Sequence, residues 1–344
     1  MRLAPLAGLS LCLVLTSCST SPTAPGIASP TTPGAGITGL VHGGQQVVVG
    51  TTVQLYAVGS GGDGSVSVPL LTKTVKSGND GTFNITGLYT CPTPQTLVYL
   101  AGTSGNPGSG TNNNLAMMTV LGECGSLNSS TYVVMNEIST VTTIFTLAPY
   151  MTAYDHIGYG SDISALTAAF TKVTQLVDIS TGDAGGTNPP AGSAADIEEI
   201  NTLANIMAAC INSTGGTAGD SSACGTLFSL AGGRGTVDTV KALLNVAETP
   251  SQNLSALFNL SNGTSPFQPQ LSTPPASAWV VDLFPMAATP VLSPATGTTL
   301  TAGQTITISD STPAPPFTTP PPEPRPPSTR PGTQVASSSP RLRP

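Results

Sequence analysis

Residues 51–58 read "TTVQLYAV" and residues 81–88 read "GTFNITGL". In the first, Val53, Leu55 and Ala57 alternate with Thr52, Gln54 and Tyr56; in the second, Phe83 and Ile85 alternate with Thr82, Asn84 and Thr86. A period of two sends every other side chain to one face, so each stretch is expected to be a half-buried strand. Between them "GGDG" and "GNDG" supply Asn, Asp and Gly, which tolerate the positive φ of hairpin turns. An antiparallel sheet follows. "TLVYLAG", "NLAMMTVLG" and "STYVVMNE" are further strand candidates and carry it to about Met135.

From "NEISTVTTIFTLAPYM" onward the period changes. Leu166, Phe170, Val173 and Val177, and then Ile197, Ile200, Ala204, Met207 and Ile211, recur at helical spacing. Ser161 precedes the first of these helices, Ser193 with Asp196, Glu198 and Glu199 opens the second, and Thr236 precedes "VDTVKALLNVA". Oxygen side chains there would cap free amides, and early acids favour the helix dipole. The expected class is α+β and multi-domain: an N-terminal antiparallel β-sandwich over residues 36–135 and a small helical domain over residues 136–262.

The chain has 344 residues, 8% of them charged, with 38 Gly and 32 Pro, so its polarity comes from Thr, Ser, Asn and Gln. That composition belongs to an exported, turn-rich chain. The formal net charge of -7 includes no basic patch, which argues against nucleic acid as a partner.

Arg2 and the apolar run after it end in Leu15, Thr16, Ser17 and Cys18. This resembles a bacterial lipoprotein signal, with an aliphatic residue and two small ones before the Cys. The resemblance implies cleavage before Cys18, its lipidation, and anchoring by acyl chains worth roughly 0.8 kcal/mol per buried CH₂. Ser19 follows, with no Asp to retain the product at an inner membrane, so the outer membrane or cell surface is the expected location. The competing reading is an ordinary secretory signal ending near Ala24. Residues 19–35 are rich in Ser, Thr and Pro and read as a tether.

After the signal four cysteines remain, Cys91, Cys124, Cys210 and Cys224, and an even number in an exported chain favours disulfides. Three connectivities are open. Pairing Cys91 with Cys124 and Cys210 with Cys224 keeps each bridge within one region and is preferred. A metal reading fails, because there is no C-x-x-C and His42 and His156 lie far in sequence from every cysteine.

The order "GITGLVHGGQQVVVGTTVQLYA" and then "NDGTFNITGL" resembles the carboxypeptidase regulatory-like domain, a transthyretin-type β-sandwich, over residues 36–88. Gly36, Gly39, Gly50, Val53, Leu55, Asp80, Gly81, Phe83 and Ile85 carry the match; where the family has Pro before its second strand, this chain has "QQVVVG". The resemblance implies a noncatalytic scaffold of surface proteins and exported enzymes. Residues 263–287 then read as a linker. Residues 288–313, "ATPVLSPATGTTLTAGQTITISDSTP", resemble the first half of a chitobiase/β-hexosaminidase C-terminal module, which is immunoglobulin-like. Pro290, "SPATGT", Gly303, "TITIS" and "STP" fall in the family's order.

As written, this module is incomplete and residues 314–344 are expected to be a disordered Pro-rich tail. Residues 311–344 hold 12 of the 32 prolines and four of the ten basic residues. One hypothesis is a shifted reading frame. For one permitted set of codons for residues 313–319, a G inserted after the first codon yields Pro-Gly-Ala-Thr-Ile-Tyr-Tyr, the strand with which the family continues. The alternative is a genuine wall-spanning tail. Resequencing the codons for residues 310–320 decides: an extra G establishes the shift, and an unchanged sequence makes the tail genuine.

Few residues carry chemistry. Asp155 and His156, between Tyr154 and Tyr159, are the one polar and aromatic cluster that could face a ligand, yet no Gly-x-Ser-x-Gly motif accompanies them. Glu198 and Glu199 are adjacent and so about 100° apart on a helix, which reads as a solvated first turn. No cofactor, metal or catalytic residue is expected. The expected function is a noncatalytic surface scaffold or binding module, with a polysaccharide or another surface protein as partner and the membrane reached through the lipid. The alternative is an exported hydrolase with its site at Asp155 and His156, or one whose catalytic part is lost beyond a frameshift.

Overall fold

The computed structural model describes residues 32–233, 235–261, 265–286, 291–293 and 307–309. The signal, Cys18, most of the tether, the bulk of the residue 288–313 module and the Pro-rich tail lie outside the described residues. Strands β1 (Thr32–Pro33), β2 (Ile37–Gly43), β3 (Gln46–Val47), β4 (Thr52–Ala57), β5 (Val68–Pro69) and β6 (Val75–Lys76) come first. They are followed by β7 (Thr82–Asn84), β8 (Thr90–Cys91), β9 (Leu97–Thr103), β10 (Ala116–Glu123) and β11 (Thr131–Met135).

One sheet runs β10-β9-β4-β5, with β6 also on β4; the other runs β11-β2-β3, with β7 also on β2. Val53 and Leu55 of β4, Leu100 of β9, Ile37 and Val41 of β2 and Phe83 of β7 belong to one buried core. Burial alternates along β4 and β2, as the period of two requires. By contrast β9 and β10 are buried almost throughout, and on β10 helices supply part of the cover. Within these sheets β11 departs from antiparallel pairing and runs parallel to β2, with Val133 opposite Gly39. Gly39 has no room for a side chain: a Cβ there would press on the Val133 carbonyl and come 2.6 Å from the Phe83 ring.

Next come α1 (Glu137–Leu147), β12 (Met151–Ala153), β13 (His156–Ile157), α2 (Ser164–Leu176), β14 (Val177–Asp178), β15 (Asp183–Ala184) and β16 (Ser193–Ala195). Then follow α3 (Ile197–Ile211), α4 (Ala223–Leu230), α5 (Thr239–Glu248), α6 (Leu254–Phe258) and β17 (Leu283–Pro285). Helices α1, α2 and α5 pack on β10, so sheet and helices share one core in a single compact unit that reaches Phe284. Helix α1 is buried nearly all round although rich in Ser and Thr. Thr140 and Thr142 turn their hydroxyls back on the carbonyls of Asn136 at 2.6 Å and Ile138 at 2.9 Å, which makes their burial tolerable, while the buried Thr143 and Thr146 hydroxyls have no partner among the described residues.

The expected helix starts are corrected by two or three residues. The cap of α3 is Asp196, which accepts the Glu199 amide; Ser193 lies in β16 instead. The cap of α5 is Asp238, which accepts the Lys241 amide, rather than Thr236. At α2, Ser161 is not the cap; Asp162 accepts the Ser164 amide at 2.8 Å. At α3 and α5 a carboxylate nearer the first turn takes the role, adding charge to the hydrogen bond, whereas the cap position of α2 is Ile163, which makes no side-chain cap bond.

In the second unit, which begins at Pro285, β18 (Val291–Ser293) and β19 (Thr307–Ser309) pair antiparallel.

Candidate functional site

Strands β12 and β13 form a hairpin with Met151 opposite Ile157 and Ala153 opposite His156, so Tyr154 and Asp155 form its tip. Met151 and Ile157 are buried and anchor it. The Ser67 hydroxyl holds it from below, donating to the Ile157 carbonyl at 3.0 Å while accepting the Ile157 amide at 3.0 Å and the Tyr99 hydroxyl at 2.8 Å. One donor and two lone pairs are thereby all used. The Ser67 amide donates to the Asp155 carbonyl at 2.9 Å and the Tyr159 amide to the Gly59 carbonyl at 3.1 Å.

At the tip, His156 Nδ1 lies 2.6 Å from Asp155 Oδ1, with both side chains 36% exposed. A carboxylate only accepts, so Nδ1 is the donor in this contact. The phenol of half-buried Tyr154 is raised by burial and then by the nearby charges of Asp155 and Asp238. Asp238, the α5 cap, is raised by burial, with Asp155 adding to the effect. Tyr56 stacks on its cross-strand partner Tyr99 with ring centroids 5.4 Å apart, and burial, followed by Asp155 and Tyr154, pushes its phenol up to about 12. The hairpin, the β4/β9 pair and the start of α5 thus converge on two carboxylates, a histidine and three tyrosines.

Tyr154, Asp155 and His156 are brought together at the tip, and Tyr159 follows just outside it. Sequence reasoning misses Tyr56, Ser67, Tyr99 and Asp238, which come from distant stretches; the Gln54/Tyr56 face of β4 is the one available signal.

Two carboxylates lie apart from this cluster. Glu137, at the first position of α1, is wholly buried. Its Oε2 accepts the Gly44 amide at 3.0 Å, its Oε1 has no partner among the described residues, and burial pushes it up to about 8. Glu199 is corrected from its solvated reading. It is nearly buried, Oε1 accepts the Val280 amide at 2.6 Å, and burial, with Asp196 beside it, raises it to about 7. A later segment of the chain covers this turn, which helical periodicity alone does not report.

The disulfides pair Cys91 with Cys124 and Cys210 with Cys224, with Cα atoms 5.8 and 4.4 Å apart. Both bridges fit folding in an oxidising, extracytoplasmic compartment. Among the described residues no group of three or more His, Cys, Asp or Glu is placed to hold a metal ion, and no helix is long and apolar enough to cross a membrane.

No protein-family model matches this chain. Comparison with curated proteins and with solved structures likewise gives no match. Function is therefore inferred from the residues themselves.

Proposed function

We propose that the chain is a noncatalytic surface module, lipid-anchored through Cys18, that meets a polysaccharide or a surface protein with the hairpin tip at Tyr154, Asp155 and His156. The observation that carries this reading is the saturation of the Ser67 hydroxyl beneath the tip. It is held by Ile157 and Tyr99, so it has no lone pair or proton left to act as a nucleophile activated by His156. A half-buried phenol with a partly exposed carboxylate and imidazole offers a polar, directional contact. We infer further that residues 36–135 are a carboxypeptidase regulatory-like sandwich. Its support is that Gly39, Val53, Leu55, Phe83 and Ile85, which carry the resemblance, occupy the crowded or buried positions of β2, β4 and β7 and the residue just after β7.

The test is co-sedimentation with insoluble envelope polysaccharide. Replacing both Tyr154 and His156 with Ala is expected to lower retention roughly tenfold, the effect of truncating one good aromatic contact, in a chain that still unfolds cooperatively. Unchanged retention would overturn the assignment of the tip. A second reading, an exported hydrolase, is favoured by the 2.6 Å contact that orients His156. An ester- or glycoside-cleaving activity lost in His156→Ala would establish it instead.

A further inference from the structure

Helix α3 is buried on nearly every side, yet it carries Asn201, Thr202 and Asn205, all inside. Their partners come from residues 265–271, a proline-containing stretch with no regular secondary structure. Asn205 Nδ2 donates to the Phe267 carbonyl at 2.8 Å, and its Oδ1 accepts the Phe267 amide at 3.0 Å. The same amide group also donates to Gln270 Oε1 at 2.7 Å. Asn201 Nδ2 donates to the Pro269 carbonyl at 2.8 Å, and the Thr202 hydroxyl accepts the Leu271 amide at 2.9 Å.

Most of these bonds read main-chain atoms. Side-chain identity enters through Phe267 and Leu271, which pack partly buried against the core, and through Pro266, which lies against Gly44. The seam is not filled. Cavities of about 160 Å³, at Asn205, Ala209 and Pro266, and about 180 Å³, at Asn201, Phe267 and Gln268, flank the segment. A buried edge of asparagine amides aimed at another segment's peptide groups, with open space beside it, has the construction of a peptide site.

We propose that this edge of α3 is a binding site for a proline-containing peptide of the Pro-Phe-x-Pro kind, filled in this chain by its own residues 265–271. The segment is a ligand in cis, and an equivalent peptide competes for its place.

The test uses the full chain and a fluorescein-labelled peptide, SPFQPQL, the sequence of residues 265–271. The double variant Phe267→Pro with Leu271→Pro removes two amide donors from the cis segment and leaves α3 unaltered. The peptide is expected to bind this variant at least roughly tenfold more tightly than the unaltered chain, and adding Asn205→Ala should abolish the gain. Equal or absent binding in the two folded proteins, or a gain that survives Asn205→Ala, would overturn the proposal. If the double variant does not melt cooperatively, hydrogen exchange on the unaltered chain decides. The Phe267 and Leu271 amides should exchange by local opening, faster than the α3 amides and faster still with excess peptide. Exchange of both only with the α3 amides, insensitive to peptide, would make the segment an ordinary part of the core.

Discussion

Replacing Glu137 with Gln is expected to stabilise the chain at pH 7 and above and to flatten a fall in stability that the unaltered chain shows as pH rises from about 4.5 to about 8. The group is held up by burial, so between those limits the folded chain keeps a proton that the unfolded chain has released. Unfolding then releases a proton, and stability decreases with pH through that window. The stabilising protonated form is fully present below the unfolded value, and its contribution is gone above the folded one. Each pH unit of that window is worth about 1.4 kcal/mol, so the total is on the order of a few kcal/mol, a large part of the ~5–15 kcal/mol that holds a domain folded.

Two effects oppose the gain. An acid at the first position of a helix gains about 0.3–1 kcal/mol from the dipole, and the new amide NH₂ must find a partner where Oε1 has none. Neither matches the desolvation of a fully buried carboxylate, and the Gln oxygen still accepts the Gly44 amide. Urea midpoints at pH 5, 7 and 8.5 provide the check. The variant and the unaltered chain should coincide near pH 5 and separate upward. Parallel curves at all three values would mean that Glu137 is not the group that titrates. Glu199, raised to about 7, should give a smaller effect in the same direction when changed to Gln.

What could be read from the sequence divides along physical lines. Strand β4 was legible because its alternation records a single covered face, and β9 and β10 were legible as apolar runs, though not the reason for them, which is cover on both faces. Helix α1 was visible only as a change of period; its Ser and Thr residues look solvated until their back-bonding to carbonyls is seen. The caps of α3 and α5 fall on an aspartate three and two residues beyond the Ser193 and Thr236 that the sequence offers. At the candidate site Tyr154, Asp155 and His156 were legible because they are consecutive. Ser67, Tyr99 and Asp238 were not, since only the packing of loop, sheet and α5 brings them to the hairpin. Residues 265–271 looked like linker because their hydrogen bonds go to side chains on α3, and side-chain-to-main-chain pairing across such a distance leaves no period to detect.

Removing the Cys91–Cys124 bridge by Cys91→Ser with Cys124→Ser is expected to lower stability by about 3–4 kcal/mol, since it frees a loop with a sequence separation of 33 in the unfolded chain. The Cys210–Cys224 bridge, with a separation of 14, should cost roughly 3 kcal/mol by the same chain-entropy scaling. Together they amount to about half or more of the stability of an ordinary domain. A chain that depends on them to this extent would be left only marginally stable in a compartment that keeps thiols reduced. Denaturant unfolding with and without reductant measures the sum, and equal stability in the two conditions would show that the bridges contribute nothing. The single substitution Cys91→Ser tests the pairing separately. Of the four bridged cysteines it should leave one thiol free, at Cys124, for an alkylating reagent to label in the unfolded chain. Label at Cys210 or Cys224 instead would establish a different connectivity, and with it a different account of how the end of α3 is tied to α4.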